Sequence, residues 1–145
     1  MVADVRAAAG EIGDVVVADG PGQGAAVEET LRDVHDAPVL VVNADLPAAT
    51  PRDLLALLGS IPHEGLAVAA AADGTTNALG LSSAALFRPL YGIGSAERFL
   101  ALAESRLVEI PNLADDVDAL EDLRRLEGRL GPHTAAALER LAALA

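Results

Sequence analysis

The sequence predicts an α/β fold in which strands alternate with helices around a mostly parallel sheet. Pro38 to Val42 is apolar throughout, as expected for a strand that is buried on both faces of such a sheet. Thr50, Pro51 and Asp53 form a helix start, with a capping residue, a proline at the first helical position and an acidic residue in the first turn. The length of 145 residues suits a single domain, residues 1–145.

The first third of the chain predicts two elements before this strand. Asp14 to Asp19 is a β-branched run closed by Gly20-Pro21-Gly22, which predicts a buried strand. Apolar side chains then recur at helical spacing, which predicts a helix from about Ala25 to Val34.

The middle of the chain continues the alternation. The helix that starts at Pro51 is expected to run to about Leu58, where Gly59 can end it. Leu66 to Ala72 predicts a strand, with a helix as the alternative because alanine favours helices. A polar turn and four further strand residues follow, at Asp73–Asn77 and Ala78–Leu81.

The last third adds helices, loops and one more strand. The predicted elements are a short helix at Ser83–Phe87, a glycine-rich loop at Tyr91–Ser95, a helix at about Ala96–Ser105, a strand at Leu107–Ile110, an acidic loop at Asp115–Asp118, a helix to about Leu130 and a terminal helix at His133–Ala145. Asp118 is the predicted N-cap of the helix that ends near Leu130, with Glu121 three residues later.

Composition excludes several classes of protein. The formal net charge of −12 disfavours binding to nucleic acid or to an anionic membrane. All ten basic residues are arginine, which excludes a Schiff-base lysine or a P-loop lysine. Cysteine is absent, so the chain has no disulfide and no thiolate metal site, which fits a cytoplasmic protein. No apolar run is long enough to span a membrane, and Met1 to Gly10 lacks the features of a signal peptide.

Groups with chemical potential follow the predicted strands. Asp45 comes directly after the strand that ends at Val42, and Mg²⁺ is typically held by one or two carboxylates together with substrate phosphates. Asp116 and Asp118 could supply the second carboxylate. The alternatives are that Asp45 only caps the turn before Thr50, and that the acidic loop only caps the next helix.

Two polar loops are candidate anion sites. Gly92 to Ser95 precedes a predicted helix, so its backbone N–H groups and the Ser95 hydroxyl could hold an anion. Gly74 to Asn77 offers further hydroxyl and amide donors. The alternatives are an ordinary loop with Ser95 as N-cap and an ordinary turn.

The remaining polar residues give weaker signals. Arg88 and Arg98 could pair with a substrate carboxylate or phosphate, although solvated surface arginines are the more common case. His35, His63 and His133 have no metal-ligand spacing, and the G-x-S-x-G elbow of a serine hydrolase is absent.

Four segments, taken in order, resemble the successive motifs of one family, the 2-phospholactate guanylyltransferases, whose bacterial branch includes the phosphoenolpyruvate guanylyltransferases. The segments are Val39–Pro47 (VLVVNADLP), Gly74–Leu79 (GTTNAL), Tyr91–Ser95 (YGIGS) and Asp116–Leu123 (DVDALEDL). Gly22–Val27 (GQGAAV) sits where the family has Gly-Leu-Asn-Ala-Ala, and the tail Arg124–Thr134 (RRLEGRLGPHT) also looks familial.

The resemblance implies a fold and a reaction. The fold would be the three-layer α/β/α sandwich of the nucleotide-diphospho-sugar transferases, which is Rossmann-like. The reaction would transfer GMP from GTP to the phosphate of a small phosphorylated carboxylic acid, with release of pyrophosphate, in coenzyme F420 biosynthesis. Asp45 and Asp118 would be catalytic and would bind Mg²⁺ together with Asp116. Four residues would hold the acceptor: Thr76, Asn77, Gly92 and Ser95.

The chain also departs from the family pattern. Family members begin with a strand, a glycine-containing loop and a basic segment that grip the nucleotide, and no segment here matches them. We therefore expect an N-terminally truncated domain with an open strand edge, which would allow a homo-oligomer to form. Gln23-Gly24 stands in place of Leu-Asn, and Ala119-Leu120 in place of Thr-Pro.

Two other functions are compatible with the sequence. One is a non-catalytic remnant or partner subunit that binds a phosphorylated acid. The other is a different transferase on the same fold, such as a molybdopterin-cofactor or sugar nucleotidyltransferase.

Overall fold

A computed structural model describes residues 1–35 and 37–144 of the chain. The helices are α1 Val2–Gly10, α2 Gln23–Leu31, α3 Pro51–Gly59, α4 Ser95–Leu100, α5 Pro111–Ala114, α6 Leu120–Arg125 and α7 Pro132–Ala143. The strands are β1 Val39–Val42, β2 Gly65–Ala70, β3 Thr76–Leu81 and β4 Glu104–Leu107, and short 3-10 helices lie at Ala84–Leu86 and Glu127–Arg129.

The four strands form one mixed sheet in the order β1-β3-β2-β4. β3 pairs antiparallel with both β1 and β2, and Leu79 lies between Val41 and Val68. β2 and β4 are parallel. The α/β class is confirmed, but the expected mostly parallel pairing is wrong. β3 reverses direction because only a tight turn joins it to β2, closed by the Gly74 N–H donating to the Ala71 carbonyl.

Helices cover both faces of the sheet and give the expected three layers. One apolar cluster joins Leu54 and Leu57 of α3 to Ala67 of β2, together with residues of α1 and α5. The other joins Leu66 and Val68 of β2 to residues of α2 and α4 and to all three aromatic side chains. Successive residues of β2 enter opposite clusters, as the alternation of side chains along a strand requires.

The helix start at Thr50 is confirmed in detail. The Thr50 hydroxyl accepts a hydrogen bond from the Asp53 backbone N–H, and the Asp53 carboxylate accepts one from the Thr50 N–H. This reciprocal capping satisfies two N–H groups that would otherwise lack partners at the helix end. The strand predicted at Leu66–Ala72 is present as β2, which ends at Ala70. The short helix after Ser83 is also present, and the terminal helix is α7, which ends at Ala143; Ala145 lies outside the described residues.

The predicted strand Asp14–Asp19 is wrong. These residues belong to no helix or strand, and Val15, Val16 and Val17 are 39%, 72% and 51% exposed. No backbone hydrogen bond between described residues involves 14–18. β-Branched residues favour an extended backbone, but a strand also needs a neighbouring strand to pair with.

Other boundaries differ from the predictions. The last strand is Glu104–Leu107 rather than Leu107–Ile110, and the preceding helix ends at Leu100. β3 begins at Thr76, inside the predicted polar turn. Asp118 does not cap α6, because the Asp122 carboxylate accepts the backbone N–H groups of Asp118 and Ala119 instead.

A buried carboxylate on α1 fastens the start of α7. Asp4 accepts hydrogen bonds from the backbone N–H of His133 at 2.9 Å, the backbone N–H of Thr134 at 2.8 Å and the Thr134 hydroxyl. A Cβ at Gly131 would lie 2.4 Å from the Asp4 carboxyl carbon, so only glycine allows this approach.

Among residues 1–35 and 37–144, no helix has both the length and the apolar character needed to cross a membrane.

Candidate functional site

One polar cavity of about 260 Å³ collects the predicted site residues from separate parts of the chain. It lies where β1 ends and β3 begins, with the acidic loop and the glycine-rich loop beside it. Its lining residues are Gln23, Asn43, Asp45, Asp73, Thr75, Thr76, Asn77, Tyr91, Gly92, Ser95, Asp116 and Asp118. All seven predicted site residues are therefore in this wall.

Three of the carboxylates in the wall form a compact group. One oxygen from each of Asp45, Asp116 and Asp118 lies within 4.8 Å of the others. The Val117 N–H donates to the Asp45 carbonyl at 3.0 Å, and this bond ties the acidic loop to the segment that follows β1. Carboxylate oxygens at this spacing suit a hard cation such as Mg²⁺ or Ca²⁺.

The Asp45 carboxylate lies in surroundings that disfavour its charged form. Its Oδ1 atom is buried and has no hydrogen-bond partner among the described residues. Burial raises the pKa of Asp45, and the negative charges of Asp116 and Asp118 raise it further. A bound cation would compensate all three of these carboxylates, so the arrangement fits a metal ion.

The first two residues of β3 are polar and buried. Thr76 and Asn77 are each only 2% exposed. The Thr76 hydroxyl forms a 2.9 Å hydrogen bond with the Ser95 hydroxyl, and the Asn77 amide donates to Asp116 at 3.4 Å. Since a hydroxyl pair shares one of its two hydrogens, the second hydrogen can be donated to a ligand.

The glycine-rich loop enters α4 differently from the expectation. Gly94 is the N-cap, with φ +70°, and Ser95 is the first helical residue. The Ser95 N–H donates to the Gly92 carbonyl, and the Ala96 N–H donates to the Gly74 carbonyl. The first two N–H groups of α4 therefore have protein partners. Within the described chain, no hydrogen bond uses the N–H of Gly92, a residue of the cavity wall, and this donor remains available to an anion.

Comparison with known proteins identifies relatives that are named phosphoenolpyruvate guanylyltransferase. A phosphoenolpyruvate guanylyltransferase of Streptomyces scabiei is 38% identical over 132 residues, which cover 84% of this chain and 61% of the relative. The Streptomyces coelicolor enzyme of that name is 35% identical over 142 residues, or 90% of this chain and 66% of the relative. The Sphaerobacter thermophilus enzyme of that name is 36% identical over 107 residues, which cover 70% of this chain and 51% of the relative. No profile of a known protein family matches the chain.

The chain belongs to the phosphoenolpyruvate guanylyltransferase family. It spans about half to two thirds of the length of these three relatives. The resemblance seen in the four sequence motifs is therefore confirmed at the level of the family.

The two arginines considered for substrate binding in this family member have other partners. The Arg88 guanidinium donates to the backbone carbonyls of Ala85 and Phe87. Arg98 donates to the carbonyls of Leu90, Tyr91 and Ile93 and so fixes the fold of the glycine-rich loop. Neither arginine lines the cavity, and no arginine or histidine is among its lining residues. The wall formed by the described residues is therefore acidic, and its potential would favour a cation.

Sequence reasoning missed several wall residues of this family member. Asn43 is held by two bonds to β3: its backbone N–H donates to the Asn77 carbonyl at 2.9 Å, and its side chain to the Thr76 carbonyl at 3.2 Å. The Gln23 amide donates to Asn43 at 2.7 Å. The signal for Asn43 was its place between the strand and Asp45, at a strand end where ligands bind.

Tyr91 is the aromatic member of the wall. Its ring packs edge-on against Phe99, with centroids 5.3 Å apart, and at 6.2 Å from the ring of Phe87. Burial raises the pKa of the Tyr91 hydroxyl, which therefore stays protonated. His35, His63 and His133 are exposed, and none of them lines the cavity.

Proposed function

We propose that this chain is a guanylyltransferase that joins GMP from GTP to the phosphate of phosphoenolpyruvate or 2-phospholactate, in coenzyme F420 biosynthesis. In this reaction an acceptor phosphate oxygen forms a bond to the α-phosphorus of GTP, and the bond from that phosphorus to the departing pyrophosphate breaks. The names of the relatives support the reaction class. The observation that carries the proposal is the convergence of three carboxylates and four acceptor-type residues on one cavity.

Asp45, Asp116 and Asp118 are the residues that would hold Mg²⁺. The buried, unpartnered Oδ1 of Asp45 and the oxygen-only donor set fit this ion. When bound, Mg²⁺ neutralises negative charge on phosphate oxygens and so favours nucleotidyl transfer. The contribution of the three aspartates is to fix the position at which the phosphates of the two substrates meet.

Thr76, Asn77, Gly92 and Ser95 are the residues that would hold the acceptor. The hydroxyl pair of Thr76 and Ser95 is rigid, because it is buried between β3 and α4. Its free hydrogen, the Asn77 amide and the Gly92 N–H are donors suited to a phosphate or carboxylate. The protein acts by alignment and charge neutralisation, without a covalent intermediate.

The test is release of pyrophosphate by the purified chain with Mg²⁺ and GTP. Phosphoenolpyruvate, 2-phospholactate and 3-phosphoglycerate are compared as acceptors, and Asp33→Asn serves as a charge-matched control because Asp33 is exposed and outside the cavity. We expect release with one of the first two acceptors, lost in Asp45→Asn and retained in Asp33→Asn.

Calorimetry of phosphoenolpyruvate binding in the presence of Mn²⁺ separates transfer from binding. Binding without pyrophosphate release, with every acceptor, would overturn the transferase and favour an acceptor-binding protein. Neither binding nor release would overturn the assignment of the cavity itself.

A further inference from the structure

Arg129 is the basic residue that contacts the acidic loop. Its guanidinium donates to the Asp115 carboxylate at 2.6 Å and to the Asn112 side-chain oxygen at 3.1 Å. The Asn112 amide in turn donates to the Asp53 carboxylate at 2.9 Å, the same carboxylate that caps α3. A single arginine thus connects the residue before Asp116 to the capped start of α3.

Arg129 is itself presented from an anchored segment. Leu126, three residues earlier, is fully buried. Gly131, two residues later, donates its N–H to the Pro47 carbonyl at 2.7 Å and packs against Asp4. The segment Arg124–Thr134 therefore contacts both parts of the chain that carry the three cavity carboxylates. These parts are the residues after β1 and the acidic loop.

We propose that Arg129 is a positioning residue for the carboxylates of the cavity. It holds Asp115 so that Asp116 and Asp118 lie opposite Asp45, and it acts through the loop rather than by touching a substrate. This proposal rests on the proposed function for the identity of the bound cation, but the contact itself is a property of the metal-free protein.

The positioning role can be tested by whether removal of Arg129 strengthens or weakens cation binding, because its charge and its contacts predict opposite changes. If Arg129 acted only through its charge, its removal would make the acidic cavity more negative and cation binding tighter. If Arg129 positions the loop, its removal would make cation binding weaker. Arg124 is a matched control, since it is exposed in the same segment and its side chain has no hydrogen bond or ion pair within the described chain.

The experiment compares Arg129→Met with Arg124→Met, since methionine keeps an unbranched side chain and removes the guanidinium. Mn²⁺ affinity is measured by calorimetry, and amide hydrogen exchange at Val117 is measured without metal. For Arg129→Met we expect Mn²⁺ affinity to fall by about tenfold, the lower end for residues that orient metal ligands. The Val117 exchange rate should rise by roughly fivefold, the most that a half-exposed ion pair supports. Arg124→Met should change neither in this direction.

The outcomes separate this proposal from the proposed function. Tighter or unchanged Mn²⁺ binding together with unchanged Val117 exchange in Arg129→Met would overturn the positioning role. Wild-type protein that binds no Mn²⁺ would overturn the metal site, and Val117 exchange would then decide the role of Arg129 alone. Loss of folding in Arg129→Met, seen by circular dichroism, would also overturn it, because the arginine would then support the whole fold.

Discussion

The Asp4 carboxylate accepts three hydrogen bonds at the start of α7, whereas Oδ1 of Asp45 is buried and accepts none from the described residues. Burial alone would raise the pKa of Asp4, but its bonds from Thr134 and His133 outweigh this and lower it. Burial raises the pKa of Asp45, and its neighbours are two further carboxylates. A carboxylate whose acceptors are satisfied stabilises a fold, while one left unsatisfied among like charges indicates a candidate ligand site.

Asp45→Asn is expected to give the largest effect on function. Mg²⁺-dependent pyrophosphate release should fall by about 100-fold or more, because one of the three proposed cation ligands loses its charge. The free energy of unfolding of the metal-free protein should stay constant or rise by about 1 kcal/mol, because repulsion with Asp116 and Asp118 is relieved. Turnover assays and urea denaturation measure the two effects. A variant that keeps its turnover would remove Asp45 from the metal site.

Asp4→Ala is expected to give the largest effect on stability. It leaves two backbone N–H groups and one hydroxyl without their buried acceptor, so the free energy of unfolding should fall by about 3 kcal/mol. Urea denaturation measures this loss, with Asp33→Ala as an exposed control. Mn²⁺ affinity of the folded variant should not change. An unaltered urea midpoint would show that Asp4 does not fasten α7.

The two carboxylates should also respond to pH with opposite signs. The pKa of Asp4 is lowered in the folded protein, so its stabilising contribution is present above its ordinary value of 3.8 and is lost as the pH falls through the folded value. The pKa of Asp45 is raised, so the metal-free protein loses stability as the pH rises from 3.8 through the folded value.

The pH dependence can be measured in three proteins. Unfolding free energies of wild type, Asp4→Asn and Asp45→Asn are followed from acid to neutral pH without metal. Asp4→Asn should flatten the acid limb of the profile, and Asp45→Asn should flatten the decline above it. Profiles of the same shape for both variants would contradict the difference between the two sites.

Ser95→Ala is expected to give the smallest effect of the series. It removes the buried hydroxyl that pairs with Thr76, which should lower the unfolding free energy by about 1 kcal/mol. The KM for the acceptor should rise more than the KM for GTP. Ser60→Ala is the control, because the Ser60 hydroxyl follows α3, donates to the Ala56 carbonyl and lies outside the cavity wall. Equal changes in both KM values would contradict an acceptor role for Ser95.

The sequence predicts elements whose signals are local. The Thr50 cap depends on residues within four positions, and the apolar strand at Val39–Val42 depends on its own side chains. Val15 to Val17 has the same local pattern without strand pairing, because pairing depends on a partner that residue type does not specify. The direction of β3 was missed because it follows from a tight turn between two strands.

The hydrophobic pattern fails at residues of the candidate site. Thr76 and Asn77 were assigned to a turn because they are polar, yet they begin β3 and are buried in the cavity wall. Thr76 and Asn77 are polar, as suits residues that face a polar ligand, so the apolar pattern that predicts a strand does not extend to them. Asp4 gave no signal at all, since its partners His133 and Thr134 lie at the other end of the sequence.

The position of Tyr91 provides an optical probe of the cavity. The chain has one tyrosine and no tryptophan, so its near-ultraviolet fluorescence comes almost entirely from a ring in the cavity wall. Quenching or enhancement of this emission on adding a phosphorylated acid or a cation would report occupancy of the site directly. The unlabelled protein can therefore be titrated with each candidate ligand in a fluorimeter, without a coupled assay and without an introduced dye.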